Sequence, residues 1–267
     1  MSDFLDAVRL AARVEGSVWG PLRVVPETAS TNADVAALGR AGAGHGLVVA
    51  TPYQRAGRGR FDRVWSTPPD TCVAMSVLVR PRVPLAEWGW LSLLVGLAVV
   101  DGLAAASGVR AGLKWPNDVL VGERKICGIL CEAVETPTGR AAVLGMGINI
   151  ALAEGDIAAP NVTSLLLEGS DAPADAVSGA VLVELTGKAS PLVCFVPTAS
   201  GDDPQYINKF LVAYGTLGVR VMVLTLWQDA ARSVERLAEA DLVLVGNGLT
   251  VNTVSYTHLT LPTNREV

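Results

Sequence analysis

The chain has 267 residues, half of them hydrophobic, and a formal charge of −5 from 26 acidic and 21 basic side chains. This length suits one large domain or two smaller ones, each with a sizeable core. The acidic balance argues against a general nucleic-acid-binding protein, because affinity for phosphate needs clustered positive charge. It still permits a local basic pocket.

Cysteine usage and the N-terminus indicate a reducing compartment. The four cysteines are Cys72, Cys127, Cys131 and Cys194, and none belongs to a C-x-x-C pair. We therefore expect reduced, buried thiols instead of a zinc site or a disulfide framework. The N-terminus lacks a signal peptide's basic and apolar regions, and the apolar run 91–100 is too short to span a bilayer. These features predict a soluble, cytoplasmic protein without a membrane partner.

The first predicted elements lead to a basic loop. We expect a short amphipathic helix over residues 3–14, a strand at 23–25, and a helix that begins at Ser30 or Thr31 and runs to about residue 39. An apolar strand at 46–51 precedes residues 54–60, which contain three arginines and two glycines. Glycines permit close backbone approach, and arginines are permanent cations with forked donors. The loop is predicted to bind an anion; a solvated surface turn is the alternative.

A second polar cluster follows two apolar segments. Residues 71–79 read as a buried strand, and residues 85–106 as a long, largely buried helix closed by Gly108. Strands at 118–121 and 125–133 are predicted to form a hairpin. The hairpin would gather Lys114, Asn117, Asp118 and Lys125 at one strand junction. Charges near apolar strands need partners, so the cluster indicates either a polar site or a salt-bridged surface hairpin.

The next predicted strand, at 143–150, contains two glycines at spacing two, which suggests close approach of a ligand or another backbone. Neither a G-x-G-x-x-G fingerprint nor a P-loop sequence occurs. A helix is predicted near residues 174–185.

In their order and spacing, these stretches resemble the biotin protein ligases, from about residue 24 to about residue 185. The resemblance rests on Ser30-Thr31-Asn32, Gln54 with Gly57-Arg58-Gly59-Arg60, Lys114-Trp115-Pro116-Asn117-Asp118, Lys125 with Gly128-Ile129-Leu130, Gly145-Met146-Gly147-Ile148-Asn149, and Thr163-Ser164-Leu165. It implies an α+β domain with a mixed sheet flanked by helices, similar to the class II synthetases. The implied reaction forms biotinyl-5′-AMP from biotin and MgATP, then transfers biotin to a lysine of a carboxylase's biotin carboxyl carrier domain.

The resemblance also implies roles for individual residues. The biotin-binding set is Ser30, Thr31, Asn32, Gln54, Gly57, Arg58, Arg60, Lys125 and Gly128. The ATP-binding set is Arg60, Arg63, Trp65, Asn117, Asp118 and Asn149. Arg58 and Lys125 would be the catalytic residues, and Asp118 would hold Mg²⁺.

The chain departs from the family's pattern in two places before residue 187. Phe61-Asp62 stands where the family often has Arg-Gly, which should make the loop less basic and less flexible. About twenty residues precede the first strand, too few for a winged helix-turn-helix, so we expect no DNA partner.

The chain beyond about residue 187 changes character. Strand, helix and strand patterns at 192–202, 219–224, 229–238 and 241–245 predict a parallel α/β unit instead of the family's usual small β-barrel. This part resembles the first portion of a dipeptidase E or cyanophycinase-like hydrolase, without the serine elbow. We therefore predict a ligase domain at 1–187, a partial dipeptidase E-like fragment at 188–253, and an artefactual, adapter-like tail at 254–267.

Three other functions remain open from the sequence. A lipoate–protein ligase has a related fold. The absent β-barrel could leave a biotin-binding remnant without catalysis. The distal part could make the chain a hydrolase, although its nucleophile is missing.

Overall fold

The computed structural model describes residues 4–156, 161–185, 192–197, 200–215, 220–225, 236 and 242–245. The chain divides into two compact units, residues 1–187 and residues 188–267.

The first unit contains four α-helices and nine strands among the described residues. In chain order they are α1 (Ala7–Arg13), β1 (Leu22–Val24), α2 (Thr31–Arg40), β2 (Val48–Thr51), β3 (Gly57–Arg58), β4 (Val64–Trp65), β5 (Cys72–Val79), α3 (Leu91–Ser107), β6 (Gly112–Lys114), β7 (Asp118–Val121), β8 (Arg124–Thr136), β9 (Gly139–Asn149) and α4 (Ala174–Leu185). Most of the predicted elements are confirmed within a few residues. The edge strand β6 was not predicted, because three residues carry too little periodicity to be recognised.

Seven of these strands form one mixed sheet in the order β1-β2-β5-β9-β8-β7-β6. Strands β1 and β2 run parallel, and the other neighbours are antiparallel. Strands β3 and β4 form a separate two-stranded hairpin. The predicted mixed sheet flanked by helices is confirmed.

Each face of the sheet buries its own apolar cluster. One cluster joins α1, α3 and α4 to alternate sheet residues that include Val73, Met75 and Met146. The other joins Val35 of α2 to the opposite face, including Leu78 and Val143. Because side chains alternate along a strand, the odd-numbered residues of β9 from 143 to 149 share the α2 face. That face therefore carries Gly145 and Gly147, next to the N-terminus of α2.

The predicted helix 85–106 differs from the observed one in two respects. Residues Leu85–Trp90 form a 3₁₀ turn, and the α-helix occupies Leu91–Ser107 and ends at Gly108, whose φ is 72°. Only one face of α3 is buried, since Leu94 is 47% exposed. By length and composition the 23-residue segment Leu85–Ser107 could cross a membrane, with a mean hydropathy of 1.8. Here its buried residues Val95, Val99 and Leu103 pack into the core beneath the sheet.

The described part of the second unit is a parallel α/β arrangement. Strand β10 (Leu192–Val196) lies between β11 (Arg220–Val223) and β12 (Leu242–Val245), and both pairings are parallel. The helix α5 (Pro204–Gly215) follows β10. The predicted partial α/β unit is confirmed. Most of the predicted helix 229–238 and the tail 254–267 lie outside the described residues.

Candidate functional site

A cavity of about 420 Å³ lies on the α2 face of the sheet, a volume typical of small-molecule sites. Twelve of the site residues predicted from the sequence line it: Ser30, Thr31, Asn32, Gln54, Arg58, Arg60, Arg63, Trp65, Asn117, Asp118, Lys125 and Gly128. The other two, Gly57 and Asn149, are not among its lining residues. The tertiary structure thus brings together segments that are separated by almost 100 residues in sequence.

Glycines form the floor of this cavity. Gly128 on β8 lies opposite Gly147 on β9. A Cβ atom at either position would stand 3.0 Å from the indole ring of Trp65, and one at Gly145 would overlap the Asn32 side chain. The absence of side chains at these three positions therefore lets Trp65 and Asn32 lie directly on the strands.

One end of the cavity is lined by neutral polar groups at the start of α2. The predicted cap is confirmed, because the Ser30 hydroxyl accepts from the Ala33 N–H at 3.4 Å. The Gln54 Oε1 atom accepts from the backbone N–H of Thr31 at 2.7 Å and lies 3.1 Å from the Thr31 hydroxyl. Since a backbone N–H can only donate, this bond fixes the orientation of the Gln54 amide. The Gln54 Nε2 group then remains a donor at the cavity wall.

Two residues that sequence reasoning missed hold this wall together. The buried Ser76 hydroxyl lies 2.7 Å from Thr31 Oγ1 and 2.6 Å from Asn32 Oδ1. Asn32 Nδ2 donates to Leu130 O at 3.1 Å and to Glu132 Oε2 at 2.7 Å. Every polar atom of the Asn32 amide thus has a protein partner. A lone serine inside the apolar strand 72–79 was the available sequence signal for Ser76.

Another part of the cavity lining carries charge. The Lys125 ammonium lies 2.6 Å from the Asp118 carboxylate, and both side chains are partly exposed. The same ammonium stands 5.3 Å from the ring centroid of Trp65, which permits a cation–π contact. Asn117 donates its amide to Ile129 O at 2.8 Å, so this side chain fastens the 115–117 segment to β8. Lys125 is therefore a positioned cation at the cavity wall.

The basic loop is the β3–β4 hairpin. Gly57 pairs with Trp65 and Arg58 pairs with Val64. A Cβ atom at Gly57 would overlap the Trp65 carbonyl oxygen, which explains the glycine. Arg58 forms an ion pair with Glu132 at 3.0 Å. The loop arginines 55, 58, 60 and 63 also border a second, larger cavity of about 1200 Å³ beside the first.

Asn149 has a different position from the other predicted site residues. It is 1% exposed, and its amide donates to Thr163 O at 2.9 Å. Its Oδ1 atom is buried without a hydrogen-bond partner in the described part of the chain. Asn149 therefore joins the end of β9 to the 163–165 segment beneath the cavity.

Two thiols lie near the site, since Cys131 borders the larger cavity and Cys72 interacts with Trp65. Burial raises the pKa of Cys72 to about 12 and that of Cys131 to about 11. Both are neutral near pH 7, and thiolates are the reactive form. Within the described ranges, no group of three or more His, Cys, Asp or Glu side chains could hold a metal ion.

Comparisons with known proteins show the family of the chain. The profile of the Biotin/lipoate A/B protein ligase family matches residues 24–149. A Biotin--[acetyl-CoA-carboxylase] ligase from Mycobacterium tuberculosis is 36% identical over 254 residues, which cover 91% of this chain and 91% of that protein. This chain belongs to the biotin protein ligase family. The ligase resemblance found in the sequence is thereby confirmed.

Solved structures of biotin protein ligases have a fold similar to that of this chain. A biotin protein ligase from Leishmania major, in complex with biotinyl-5-AMP, is 26% identical with a TM-score of 0.53; the match covers 62% of this chain and 73% of that one. A biotin protein ligase from Aquifex aeolicus, in complex with biotin and ATP, is 25% identical with a TM-score of 0.51, covering 62% and 71%.

The distal part of this ligase matches a second family. The Peptidase family S51 profile matches residues 165–259, which supports the predicted resemblance to dipeptidase E. The match begins before residue 187 and continues beyond residue 253, so the boundaries at 188 and 254 stay predictions.

Proposed function

We propose that the first unit ligates biotin to a lysine of a carrier protein in two steps. The biotin carboxylate attacks the α-phosphorus of ATP, which forms biotinyl-5′-AMP and expels pyrophosphate. A carrier lysine then attacks the biotinyl carbonyl carbon, and AMP departs with the bonding electrons.

One observation carries this proposal. A single cavity of about 420 Å³ is lined both by neutral polar groups and by cations, namely Lys125, Arg58, Arg60 and Arg63. The reaction needs both, because biotin combines an uncharged ureido head with a carboxylate that must approach a polyphosphate. Family membership supports the same chemistry.

The neutral wall suits the ureido head. The Gln54 Nε2 group can donate to the ureido oxygen, and the hydroxyls of Ser30 and Thr31 can exchange hydrogen bonds with the ureido group. All these groups are uncharged, so a neutral ligand is not penalised by burial beside an unpaired charge. Asn32 already has a full set of partners, and we assign it to holding this wall.

The charged wall suits the reacting anions. Each cation about 4 Å from an anion contributes roughly 4 kcal/mol at an effective dielectric of about 20, before desolvation. Lys125 would contact the carboxylate and the α-phosphate, and Arg58, Arg60 and Arg63 would lie over the nucleotide. Trp65 would stack within the nucleotide end, and Asn117 and Asp118 would border it. Lys125 and Arg58 are held by ion pairs, so they need little reorganisation and would lower the barrier.

Mg²⁺ would enter with ATP and screen its phosphate charge. The Asp118 carboxylate is one oxygen donor group beside the proposed phosphate site, and Mg²⁺ commonly binds through one or two carboxylates plus substrate phosphates. The residues present therefore fit a metal carried by the substrate better than a resident metal site.

The basic hairpin would also retain the intermediate. A mixed anhydride hydrolyses when water reaches it, so a loop that covers the cavity protects the bound product. The carrier partner would be the biotin carboxyl carrier domain of a carboxylase, and the compartment would be the cytoplasm.

The direct test is ATP–pyrophosphate exchange on the full chain and on residues 1–187. Exchange that depends on biotin and is not supported by lipoate would establish the adenylating step and exclude a lipoate ligase. Exchange in the shorter chain would make the distal unit dispensable. Biotin binding without exchange would indicate a remnant that lacks catalysis. A folded sample with neither binding nor exchange would contradict the proposal.

The variant Arg58→Gly is expected to release biotinyl-AMP and to biotinylate nearby lysines indiscriminately. Hydrogen bonds to charged groups contribute about 1.5–3 kcal/mol, so release should accelerate roughly 10- to 150-fold. Pulse–chase with labelled biotin measures this rate. Arg55→Gly is the matched control, because Arg55 lies in the same loop but pairs with Glu27 at 3.8 Å. Retention of the adenylate by the Arg58 variant at the parent's rate would exclude the loop role.

A further inference from the structure

Glu132 is the charged residue that connects the basic hairpin to the rest of the site. It lies on β8 opposite Val143, on the face that α2 covers. Its Oε2 atom accepts from Arg58 Nη2 at 3.0 Å and from Asn32 Nδ2 at 2.7 Å. One oxygen atom of a strand residue therefore holds both the hairpin and the start of α2.

The Asn32 contact continues as a chain of hydrogen bonds into the neutral wall. Asn32 Oδ1 lies 2.6 Å from the Ser76 hydroxyl, which lies 2.7 Å from Thr31 Oγ1. Thr31 in turn is bonded to Gln54. The strand glycine Gly145 leaves the room that the Asn32 side chain occupies. The wall that would hold the ureido head and the arginine that would cover the adenylate thus share one anchor.

The geometry separates Glu132 from the residues that would touch substrate. Glu132 lines the larger cavity and is not among the residues that line the smaller one. Its carboxylate accepts a hydrogen bond from one nitrogen, Nη2, of the Arg58 guanidinium. The guanidinium has five N–H donors in all. Among the described residues no other hydrogen bond involves this guanidinium, so its remaining donors are available for an anion. A carboxylate that orients a substrate-binding arginine in this way reduces the entropy lost when the ligand binds.

We propose that Glu132 is a positioning residue that holds Arg58, and with it the basic hairpin, over the smaller cavity. This inference rests on the proposed function and assigns a residue that the sequence did not indicate. It predicts that loss of Glu132 loosens the hairpin even without ligand and shortens the life of bound biotinyl-AMP. Both effects pass mainly through Arg58, and the lost contact with Asn32 adds a smaller share.

The experiment uses the full chain with Glu132→Ala, Glu132→Gln and the control Glu135→Ala. Glu135 lies on the same strand, but its side chain is 69% exposed and pairs with Arg140. Two rates are measured: tryptic cleavage at the loop arginines in the absence of ligand, and release of biotinyl-AMP by pulse–chase. Glu132→Ala should raise both rates roughly tenfold, because residues that share a hydrogen-bond or salt-bridge network commonly have coupling energies that correspond to changes of this size. Glu132→Gln keeps an acceptor oxygen but loses the charge, so its increase should be smaller. Glu135→Ala should behave as the parent.

A double variant distinguishes positioning from general structural support. In an Arg58→Gly background, Glu132→Ala should accelerate release much less than in the parent, because the Arg58 contact is gone and only the contact with Asn32 is left to lose. Independent, multiplicative effects would overturn the inference, as would unchanged loop cleavage in Glu132→Ala. Glu132→Ala and Glu132→Gln could also lose thermal stability equally while the rates of loop cleavage and biotinyl-AMP release stay unchanged. That result would show that Glu132 supports the fold only, and it would overturn the inference.

The two proposals fail in different ways. If the parent chain forms no biotinyl-AMP, the proposed function fails, and the cleavage rates alone decide whether Glu132 holds the hairpin. If the parent forms the adenylate and the Glu132 variants release it at the parent's rate, only the inference about Glu132 fails.

Discussion

Replacement of Lys125 by alanine should reduce biotin-dependent ATP–pyrophosphate exchange roughly 100- to 1,000-fold, because a cation beside two reacting anions contributes about 4 kcal/mol before desolvation. The Lys125 ammonium is already held in place, 2.6 Å from Asp118 and over the Trp65 ring. The variant loses this charge at the point where carboxylate and α-phosphate would meet. It also leaves the Asp118 carboxylate without its cation, which adds repulsion against the phosphates.

The Lys125 measurement separates catalysis from folding. Lys125→Ala should keep the parent's thermal midpoint within a few degrees, because both side chains of the ion pair are partly exposed and such pairs contribute little to stability. Lys209→Ala is the control, since Lys209 lies on α5 of the second unit. Exchange within threefold of the parent in Lys125→Ala would show that another group neutralises the reacting anions.

Gly102→Val is expected to cause the largest loss of stability. Gly102 lies where α3 crosses α4, and a Cβ atom there would stand 2.7 Å from the Val181 backbone nitrogen and 2.8 Å from its Cα. Backbone atoms cannot rotate away, so the two helices must separate. Because backbone atoms are involved, we expect a cost of about 3 kcal/mol, at the upper end of the usual range for overpacking. This corresponds to a fall of roughly 6–12 °C in the midpoint for a unit of this size.

The matched control for Gly102 is Ala105→Val. Ala105 lies three residues further along the same helix and is exposed, so it tests the cost of a β-branched residue without the helix contact. Thermal unfolding followed by circular dichroism measures both variants. Equal midpoints for the two would mean that α3 and α4 do not approach each other as closely as the structure describes.

Local features of the chain were predicted well because their causes are local. Ser30 caps the N-terminus of α2, and Gly108 ends α3 with a left-handed backbone conformation. The two strands of the hairpin at 118–136 are joined by a turn that contains Gly122. Each depends on hydrogen bonds or steric limits within a few residues. The helix predicted at 85–106 was less accurate, because apolar composition alone does not distinguish a 3₁₀ turn from the first turn of an α-helix.

Long-range features of the site were beyond sequence reasoning. Ser76 and Glu132 looked like ordinary strand residues until strand pairing brought Ser76 opposite Gly145 and Glu132 beside Arg58. The structure also shows that the Asn149 amide bonds to Thr163 and does not line the smaller cavity, so its contact with the nucleotide stays a prediction.

The sequence by itself determined the elements, the residue types of the two cavity walls and, through motif order, the family. Only the tertiary structure decided which atoms are already committed to protein partners and which remain for a ligand. The physical reason is that a side chain's available donors depend on its neighbours across the sheet, up to 100 residues away for Asn32 and Glu132. Strand order and register set those neighbours, and they arise from packing of the whole unit.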